Sequence, residues 1–460
     1  MVLVFVAAGV IGYRLFGLGV TDHEAYAQTA RRQAVGAATS LAKRGNIYAL
    51  DRSTGEKKLI ATNTTVDGTV KRLYPKNSFA AHVLGFVGFR DHDRVGQYGV
   101  EGFYDDTLWG NDIVLTIDPT IQAYAETALN NVIKKWSASG GTIIIQEPAT
   151  GALLAVASSP SFNPNQYAQY PFETFTSPAT QEQFEPGSSF KAVTMAAALD
   201  SGAVTPDTTY DDTGEVVIAD RTIKNFDEKA HGVQTMRQVL EKSLNTGTIF
   251  AERKVGADKF LNYIVAFGFG QKTGVDLAGE VTGTIANLYT GRAINFATAS
   301  FGQGIAITPL QLVSAYSAIA NGGRLLKPSI VQSVRSSDGT TTDTKPKVLG
   351  APISEKTSIT LRGMLVDVVD YGFDKARVKG YEVAAKSGTA QIPDGHGGYL
   401  EEKQFVHNFI GFIPAYNPAA VIFIKIDKPK GITFAADSLS PVFGDIASFL
   451  VRYLKIPPTK

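Results

Sequence analysis

The order of hydrophobic patterns along the last three quarters of this chain constrains its fold most. The patterns are, in order, a helix with one apolar face beginning at Asp118-Pro119, a hairpin of residues 142–146 and 153–157, helices through 188–320, strands near 381–386, 405–412 and 421–426, and a last helix over 441–454. Asp118 is predicted to cap the first helix, with Pro119 in its first turn. This order predicts an α/β (α+β) fold, in which a sheet is assembled from both ends of the sequence, helices pack around it and the middle of the domain is all-helical.

The composition is that of a globular protein with no charge bias. The chain has 460 residues, 44% of them hydrophobic, which is enough for two or three domains. Its 44 Lys and Arg residues against 43 Asp and Glu give a net charge of +1, so no nucleic-acid partner is predicted. The absence of cysteine excludes a thiol nucleophile, a disulfide and a cysteine-bound metal.

The first 20 residues are interpreted as a membrane anchor whose true start lies upstream. Residues 1–13 are uncharged and apolar, Arg14 follows, and residues 15–20 are apolar again. A spanning helix needs about 20 apolar residues. A cleaved signal peptide is the alternative, but no positively charged segment precedes the apolar run.

Residues 21–115 are predicted to form a stalk and a small β-containing pedestal. Residues 21–40 have helical spacing, whereas 44–115 contain turn signals and short apolar runs. Asp91-His92-Asp93 has metal-ligand side chains, but a solvated loop is favoured and no metal site is predicted. The polar residues 336–346 are expected to form a surface loop.

Ser188 and Lys191 form the first motif with catalytic chemistry. Pro-Gly-Ser at residues 186–188 precedes an Ala-rich helical pattern, so Ser188 is predicted to lie at a helix N-terminus, where backbone N–H groups favour an oxyanion. Lys191 lies one turn later on the same face, within reach of the serine hydroxyl. It can act as the base if burial or a neighbouring cation keeps its amine neutral. An N-cap serine with a surface lysine is the alternative, which the apolar helix disfavours.

Ser243 and Asn245 form a second, weaker motif. They follow a segment with helical character, residues 236–242, and Thr246-Gly247 is expected to end that helix. From a loop, both side chains can point the same way. Ser243 is interpreted as a proton relay between the base and a leaving amine, and Asn245 as a ligand for a substrate amide.

The third motif is Lys386, Ser387, Gly388 and Thr389, which follow a strand-like run. On an edge strand this set can pair with an extended peptide and bind its carboxylate. Lys386 supplies the positive field, the hydroxyls of Ser387 and Thr389 bind the carboxylate, and Gly388 allows a close backbone approach. The backbone N–H groups of Ser188 and Thr389 are interpreted as the oxyanion hole.

A second Lys-Thr-Gly sequence, residues 272–274, is rejected because it lies in a glycine-rich loop. Motifs for zinc peptidases, phosphate loops and dinucleotide binding are absent from the sequence, and no cofactor is predicted. His407 lies in an apolar strand and is expected to be structural, so a Ser-His-Asp triad has little support.

With these motifs the chain resembles the class B penicillin-binding proteins, which are membrane-anchored peptidoglycan D,D-transpeptidases. The resemblance covers nearly everything after Arg14. Further similar stretches are Leu-Thr-Ile-Asp at 115–118, residues 158–165, Phe-Gly-Gln-Gly at 301–304, Asn-Gly-Gly at 321–323, the N-terminal module segments at 44–45, 72–75 and 96–101, and residues 453–458, which are similar to the ending of the cell-division members. The pedestal is shorter than usual between Arg52 and Arg72, and Ser387 replaces the commoner threonine.

The resemblance implies that Ser188 attacks the penultimate D-alanine carbonyl of a pentapeptide stem, expels the terminal D-alanine, and passes the acyl group to an amine of a neighbouring stem. β-Lactams would acylate the same serine. It implies the transpeptidase fold of that family, an antiparallel sheet flanked by helices plus an all-helical subdomain. It also implies an anchor (1–20), a stalk and shortened pedestal (21–115) and a transpeptidase domain (116–460), in a single-pass protein of the cell membrane with its catalytic domain extracytoplasmic. The implied partners are peptidoglycan stem peptides, lipid-linked precursor strands, the membrane, a polytopic glycan polymerase, and other divisome or elongasome proteins.

Several alternatives share the three motifs. A D,D-carboxypeptidase, a β-lactamase and a penicillin-sensing receptor all use this chemistry, and the anchor and pedestal argue against the first two. A catalytically idle divisome scaffold is an alternative of another class. It is disfavoured because the serines, the asparagine and both lysines of the motifs are intact.

Overall fold

The computed structural model describes Ile11 and residues 41–90, 93–392, 398–399 and 404–460. Apart from Ile11, the expected membrane anchor and the stalk helix lie outside the described residues, as do Asp91 and His92. None of the helices in the described ranges is both long and apolar enough to cross a membrane.

The described strands fall into several sheets. They are β1 Ile47–Leu50, β2 Lys57–Val66, β3 Thr69–Leu73, β4 Phe86–Arg90, β5 Asp93–Gln97, β6 Asp112–Leu115, β7 Gly140–Gln146, β8 Leu153–Ser159, β9 Thr209–Asp212, β10 Glu215–Ile218, β11 Arg221–Lys224, β12 Gly232–Thr235, β13 Leu325–Leu326, β14 Val331–Arg335, β15 Thr341–Asp343, β16 Val348–Gly350, β17 Ala384–Gln391, β18 Phe405–Ile413 and β19 Ala420–Asp427.

The described helices pack around these sheets. They are α1 Ala81–Leu84, α2 Gly99–Phe103, α3 Pro119–Trp136, α4 Lys191–Asp200, α5 Met236–Glu241, α6 Asn245–Val255, α7 Ala257–Ala266, α8 Ala293–Ser300, α9 Pro309–Ala320, α10 Glu355–Gly372 and α11 Ala435–Tyr453. A 3₁₀ turn, Gly187–Phe190, leads directly into α4.

The main sheet is antiparallel and is built from both ends of the domain, as predicted. Its order is β17-β18-β19-β7-β8, so the hairpin β7-β8 joins three strands that follow it by more than 200 residues. Helices α3 and α11 pack against one another and against this sheet, and α9 packs on β19. β17 lies at the edge, which leaves one side of its backbone unpaired within this sheet.

The predicted start of the first helix is confirmed. Asp118 Oδ1 accepts hydrogen bonds from Thr120 N (2.8 Å) and Ile121 N (3.0 Å), and Pro119 occupies the first position of α3. The hydroxyl of Tyr453 donates to Asp118 Oδ2 (3.0 Å). The cap therefore also ties the last helix to the first.

The last helix begins earlier than predicted, at Ala435 rather than at Pro441. The prediction placed the proline in the first turn, whereas the helix continues through it. The N–H of Ala435 donates to Thr389 Oγ1 (3.0 Å). The start of α11 is therefore fixed by a contact with β17 that is remote in sequence.

The pedestal is β-containing, as predicted, but its sheet takes strands from beyond the helical region. The order is β15-β14-β6-β1-β2-β3, and β14 pairs antiparallel with β6. The expected surface loop at 336–346 is therefore wrong for Thr341–Asp343, which forms the exposed edge strand β15. Its polar residues are exposed and bury little surface. Backbone pairing with β14, rather than side-chain burial, holds them in a strand.

A buried charge cluster holds the pedestal segments together. Glu101 is completely buried and accepts from Arg44 Nε (2.7 Å), Arg72 Nε (2.7 Å) and the hydroxyl of Tyr74 (3.2 Å). These residues come from the three N-terminal segments singled out in the sequence. Buried charges need partners of this kind because the loss of hydration is otherwise uncompensated.

The prediction of an all-helical middle is wrong for residues 209–235. This stretch forms two short antiparallel pairs, β9 with β12 and β10 with β11. The hairpin β10-β11 buries Ile218 against Ile249 of α6 and Phe301. Strands of four residues are too short to show a recognisable alternation of apolar and polar residues in the sequence. In the structure, the packing of one face stabilises them.

Candidate active site

The three motifs meet around one hydroxyl group, that of Ser243. Lys386 Nζ lies 3.0 Å and Lys191 Nζ 3.3 Å from Ser243 Oγ. Lys191 also donates to the Ser243 carbonyl oxygen (2.5 Å) and to Asn245 Oδ1 (2.8 Å). The structure thus brings a helix, a turn and an edge strand to one point.

Both lysines are buried, which changes their ionisation. Lys191 is completely buried and Lys386 is 1% exposed. Burial lowers the pKa of Lys386 to about 7. Burial, reinforced by the charge of Lys386, lowers the pKa of Lys191 well below its ordinary value. For Lys191 this lowered pKa favours the neutral amine that a proton acceptor requires.

Ser188 lies in the 3₁₀ turn Gly187–Phe190 at the start of α4, as the sequence predicts. It is half-buried, and a Cβ on the preceding residue, Gly187, would lie 2.8 Å from Thr389 O. Within the part of the chain that the structure describes, its hydroxyl makes no hydrogen bond, so the direct Ser188–Lys191 bond expected from their spacing is not formed. The N–H groups of Lys191 are directed to the second motif instead.

Three contacts from distant elements and one local contact fix the residues on either side of Ser188. Pro186 O accepts from Asn408 Nδ2 (2.9 Å) on β18 and from Ser189 Oγ (2.9 Å). Gly187 N donates to Gly302 O (3.0 Å). Tyr316, on α9, donates its hydroxyl to Ser189 O (2.7 Å).

Gly388 is where this segment touches β17. A Cβ at Gly388 would lie 2.4 Å from Pro186 O and within 2.8 Å of both polar atoms of the Asn408 side chain. The close backbone approach predicted at Gly388 is therefore a contact within the protein, made by the segment that contains Pro186. It sets the segment that carries Ser188 directly on the strand that carries Lys386.

The strand of the third motif is longer than predicted. β17 begins at Ala384 and continues to Gln391, so all of Lys386 to Thr389 lies within it. Ser387 and Thr389 are partly exposed and alternate with buried neighbours, which places both hydroxyls on one face. Thr389 Oγ1 accepts from Ala435 N, which leaves its own hydrogen free to be donated.

The second motif is only partly a loop. Ser243 lies in the turn between α5 and α6 with φ +57°, and Asn245 is the first residue of α6. The expected helix break at Thr246-Gly247 is wrong, because α6 continues through both residues. A Cβ at Gly247 would lie 2.3 Å from Val239 Cγ2, so glycine is needed for α6 to pack on α5.

Both polar atoms of the Asn245 side-chain amide form hydrogen bonds within the protein. Its Oδ1 accepts from Lys191, and its Nδ2 donates to Lys224 O (2.8 Å). In this arrangement the side chain positions the amine of Lys191. The predicted contact with a substrate amide would have to replace the Lys224 bond.

Two further asparagines contribute to the site, and sequence reasoning missed both. Asn225 Oδ1 accepts from Asn245 N (3.0 Å), and its amide donates to the buried Asp212 (2.9 Å). Asn408 is completely buried and holds Pro186, as described above. A single asparagine in a turn or strand carries no distinctive spacing, so only the fold identifies these two.

The rejected Lys-Thr-Gly sequence lies in a loop, as predicted, and its donors are used internally. Thr273 N (2.7 Å), Thr273 Oγ1 (2.5 Å) and Gly274 N (3.0 Å) all donate to the Glu280 carboxylate.

His407 is buried against Ser438 Oγ (2.9 Å) and Thr433 O (3.1 Å), with a pKa lowered to about 4 by burial. Its structural role is consistent with the prediction.

Comparison with known proteins places the chain in a family. The sequence model of the penicillin binding protein transpeptidase domain matches residues 141–448. The chain therefore belongs to the penicillin-binding protein transpeptidase family, which confirms the resemblance drawn from the motifs.

Individual relatives agree with this assignment. The chain is 35% identical to stage V sporulation protein D of Bacillus subtilis over 426 residues, which are 85% of this chain and 65% of that protein. It is 31% identical to penicillin-binding protein PbpB of Mycobacterium tuberculosis, covering 84% of this chain and 62% of that protein. The chain thus spans less than two thirds of the length of these curated relatives.

The fold agrees with a solved structure of the same family. Penicillin binding protein 3 of Mycobacterium tuberculosis superposes with a TM-score of 0.82 at 30% identity, covering 92% of this chain and 98% of that chain. That protein has also been solved in complex with aztreonam and with ampicillin.

Proposed function

We propose that this protein is a serine D,D-transpeptidase that cross-links peptidoglycan stem peptides through an acyl-enzyme on Ser188, and that β-lactams inhibit it. The observation that supports this most strongly is the pair of buried lysine amines on either side of the Ser243 hydroxyl, beside Ser188 and an edge strand. The family and the antibiotic complexes of its mycobacterial relative support the same chemistry.

In the acylation step Lys191 accepts the proton of Ser188. A neutral amine has two N–H donors and one lone pair, and the short contacts to Ser243 O and Asn245 Oδ1 use both donors. The lone pair is then available to a hydroxyl. Ser188 Oγ forms a bond to the penultimate D-alanine carbonyl carbon as its proton moves to Lys191 Nζ.

Ser243 then carries the proton to the leaving group. Its Oγ lies between the two amines, so it can accept a proton from Lys191 while giving its own to the departing D-alanine nitrogen. The C–N bond breaks and D-alanine leaves as a neutral amine. Transfer reverses this sequence, with an amine of a neighbouring stem attacking the ester and losing its proton through the same groups.

The donor peptide is proposed to bind as an added strand beside β17. The edge position of β17 and the partly exposed hydroxyls of Ser387 and Thr389 support binding of an extended peptide with a terminal carboxylate. The charge of Lys386 attracts that carboxylate. The N–H groups of Ser188 and Thr389 are proposed to hold the oxyanion, since a Cβ at Gly187 would lie only 2.8 Å from Thr389 O.

The proposed organisation places this chemistry outside the cytoplasm. Residues 1–20 anchor the protein as a single pass in the cell membrane, 21–115 form a stalk and pedestal, and 116–460 form the transpeptidase domain. Its partners would be lipid-linked precursor strands, a polytopic glycan polymerase, and divisome or elongasome proteins. The names of the relatives, one a sporulation protein and others peptidoglycan D,D-transpeptidases, support a role in cell-wall synthesis.

Product analysis with a stem pentapeptide and an acceptor amine tests the proposal. We expect release of D-alanine together with formation of the cross-linked amide, and loss of both in Ser188→Ala. Release of D-alanine with water as the sole acceptor would indicate a carboxypeptidase. Failure of a well-folded wild type to turn over the peptide would favour a scaffold without catalysis.

A further inference from the structure

A cavity that none of Ser188, Lys191, Ser243 and Lys386 lines opens beside the rejected Lys-Thr-Gly loop, residues 272–274. It has a volume of about 580 Å³ and lies between the loop after α7, the start of α9, and the paired strands β13 and β16. Cavities of roughly 300–1,000 Å³ are the usual size for small-molecule sites. Its floor is apolar and includes Phe267, Leu326 and Leu349.

The polar lining of this cavity is basic. Lys272, Lys327 and Lys347 all line it, and no aspartate or glutamate does so among the described residues. The chain as a whole is nearly balanced, with 44 basic and 43 acidic residues, so this clustering is local. None of the three amines forms an ion pair with another described residue.

The backbone brings the three lysines together from separate elements. Lys327 N donates to Lys347 O (2.8 Å), which fixes these two residues on neighbouring strands. The Cε of Lys327 lies 3.8 Å from where a Cβ would stand on Gly274, so its side chain extends over the loop that carries Lys272. Three like charges lining one cavity raise the local concentration of anions there.

The nearby carboxylate of Glu280 forms no ion pair with these described lysine amines. Glu280 is buried and takes up the N–H and hydroxyl donors of Thr273 and Gly274. The loop thus satisfies its backbone with an internal anion, while Lys272, Lys327 and Lys347 line the cavity without a carboxylate beside them in its lining. A ligand is left to provide the negative charge.

We propose that this cavity binds a small amphiphilic anion, with a single phosphate or carboxylate head held by Lys272, Lys327 and Lys347 and an apolar body on the leucine-containing floor. Lysine ammonium groups bind such heads as point charges without a fixed hydrogen-bond geometry. The apolar floor adds affinity in proportion to the surface that the ligand buries.

Calorimetric titration of the full chain with short-chain probes tests this proposal. Hexyl phosphate and hexanoate present the two heads, inorganic phosphate presents a head alone, and hexanol presents the body alone. We expect whichever of hexyl phosphate and hexanoate has the higher affinity to bind at least about 10-fold more tightly than inorganic phosphate. This ratio corresponds to burying roughly two methylene groups. Whichever head binds more tightly identifies the anion.

Matched charge variants separate the cavity from general electrostatics. Lys272→Met/Lys327→Met is expected to weaken the alkyl anion about 5- to 10-fold, whereas Lys134→Met/Lys356→Met, which removes the same charge from exposed helix positions, leaves it unchanged. Equal affinities in both variants, or hexanol binding as tightly as the alkyl anion, would overturn the proposal. So would binding of a glutamate-rich peptide without binding of either alkyl anion. Thermal unfolding of each variant checks that the fold is retained.

Discussion

Replacing Gly388 with alanine is expected to slow acylation of Ser188 by about 100-fold. The added Cβ would stand 2.4 Å from Pro186 O and would also contact both polar atoms of the buried Asn408 amide. Ordinary contact distances are about 1 Å longer, so the segment that carries Ser188 must move away from β17 by about that amount. A misplacement of this size costs on the order of 100-fold in rate, or about 2.7 kcal/mol of barrier.

The assay is the second-order rate of labelling by a fluorescent penicillin, measured with the thermal midpoint. Gly350→Ala is the matched control, since Gly350 also lies in a strand but has open space where a Cβ would stand. We expect the control to label at the wild-type rate. If Gly388→Ala labels within about threefold of the wild type at the same thermal midpoint, the contact does not position the nucleophile.

Three further outcomes follow from buried charges and the shared hydroxyl. Because the pKa of Lys386 is about 7 in the folded protein against 10.5 for free lysine, the unfolded chain binds more protons between these values and stability rises with pH there. Lys386→Met should flatten this rise and be more stable than the wild type at pH 6 in urea unfolding; an unchanged slope would refute the assigned burial effect. Ser243→Ala removes the oxygen between the two amines and should lower the labelling rate by about 10²- to 10⁴-fold with little change in thermal midpoint, and a near-normal rate would exclude the relay. Glu101→Gln removes the buried carboxylate that Arg44 and Arg72 share, although Arg44 keeps Asp105, and should cost about 3–5 kcal/mol of unfolding free energy. Glu56→Gln at an exposed pair should have no measurable effect; equal effects would contradict the importance of burial.

The parts of the fold that the sequence predicted are those with strong local signals. Asp118 and Pro119 mark a helix start through side-chain and ring chemistry that acts within three residues. The strands β7, β18 and β19 contain short runs of β-branched or aromatic residues and β8 is rich in leucine and alanine, as burial on both faces favours. The element pattern also predicted that one sheet is assembled from both ends of the domain, whereas its strand order comes from the structure.

The errors occurred where distant contacts outweigh local preference. Gly247 continues a helix because its missing side chain makes room for Val239, which no local rule reveals. Thr341–Asp343 is a strand because β14 offers it a backbone edge. The polar residues of β17 read as a strand end, yet pairing with β18 extends the strand to Gln391.

The candidate site shows the same division. From residue types and spacing the three motifs single out Lys191, Ser243 and Lys386, whose polar atoms the fold brings together, and Ser188 in the turn that leads into the helix of Lys191. The supporting asparagines at 225 and 408 act through hydrogen bonds to residues about 20 and 222 positions away. The absence of a direct Ser188–Lys191 hydrogen bond likewise depends on where Ser243 and Asn245 are placed.

Mass-spectrometric mapping of the penicilloyl adduct tests the central claim most directly. The full chain is incubated with benzylpenicillin, digested, and the modified residue located. The proposed acyl-enzyme predicts one adduct, on the peptide that contains Ser188, and no adduct in Ser188→Ala. An adduct on another serine, or none on a well-folded wild type, would contradict the account.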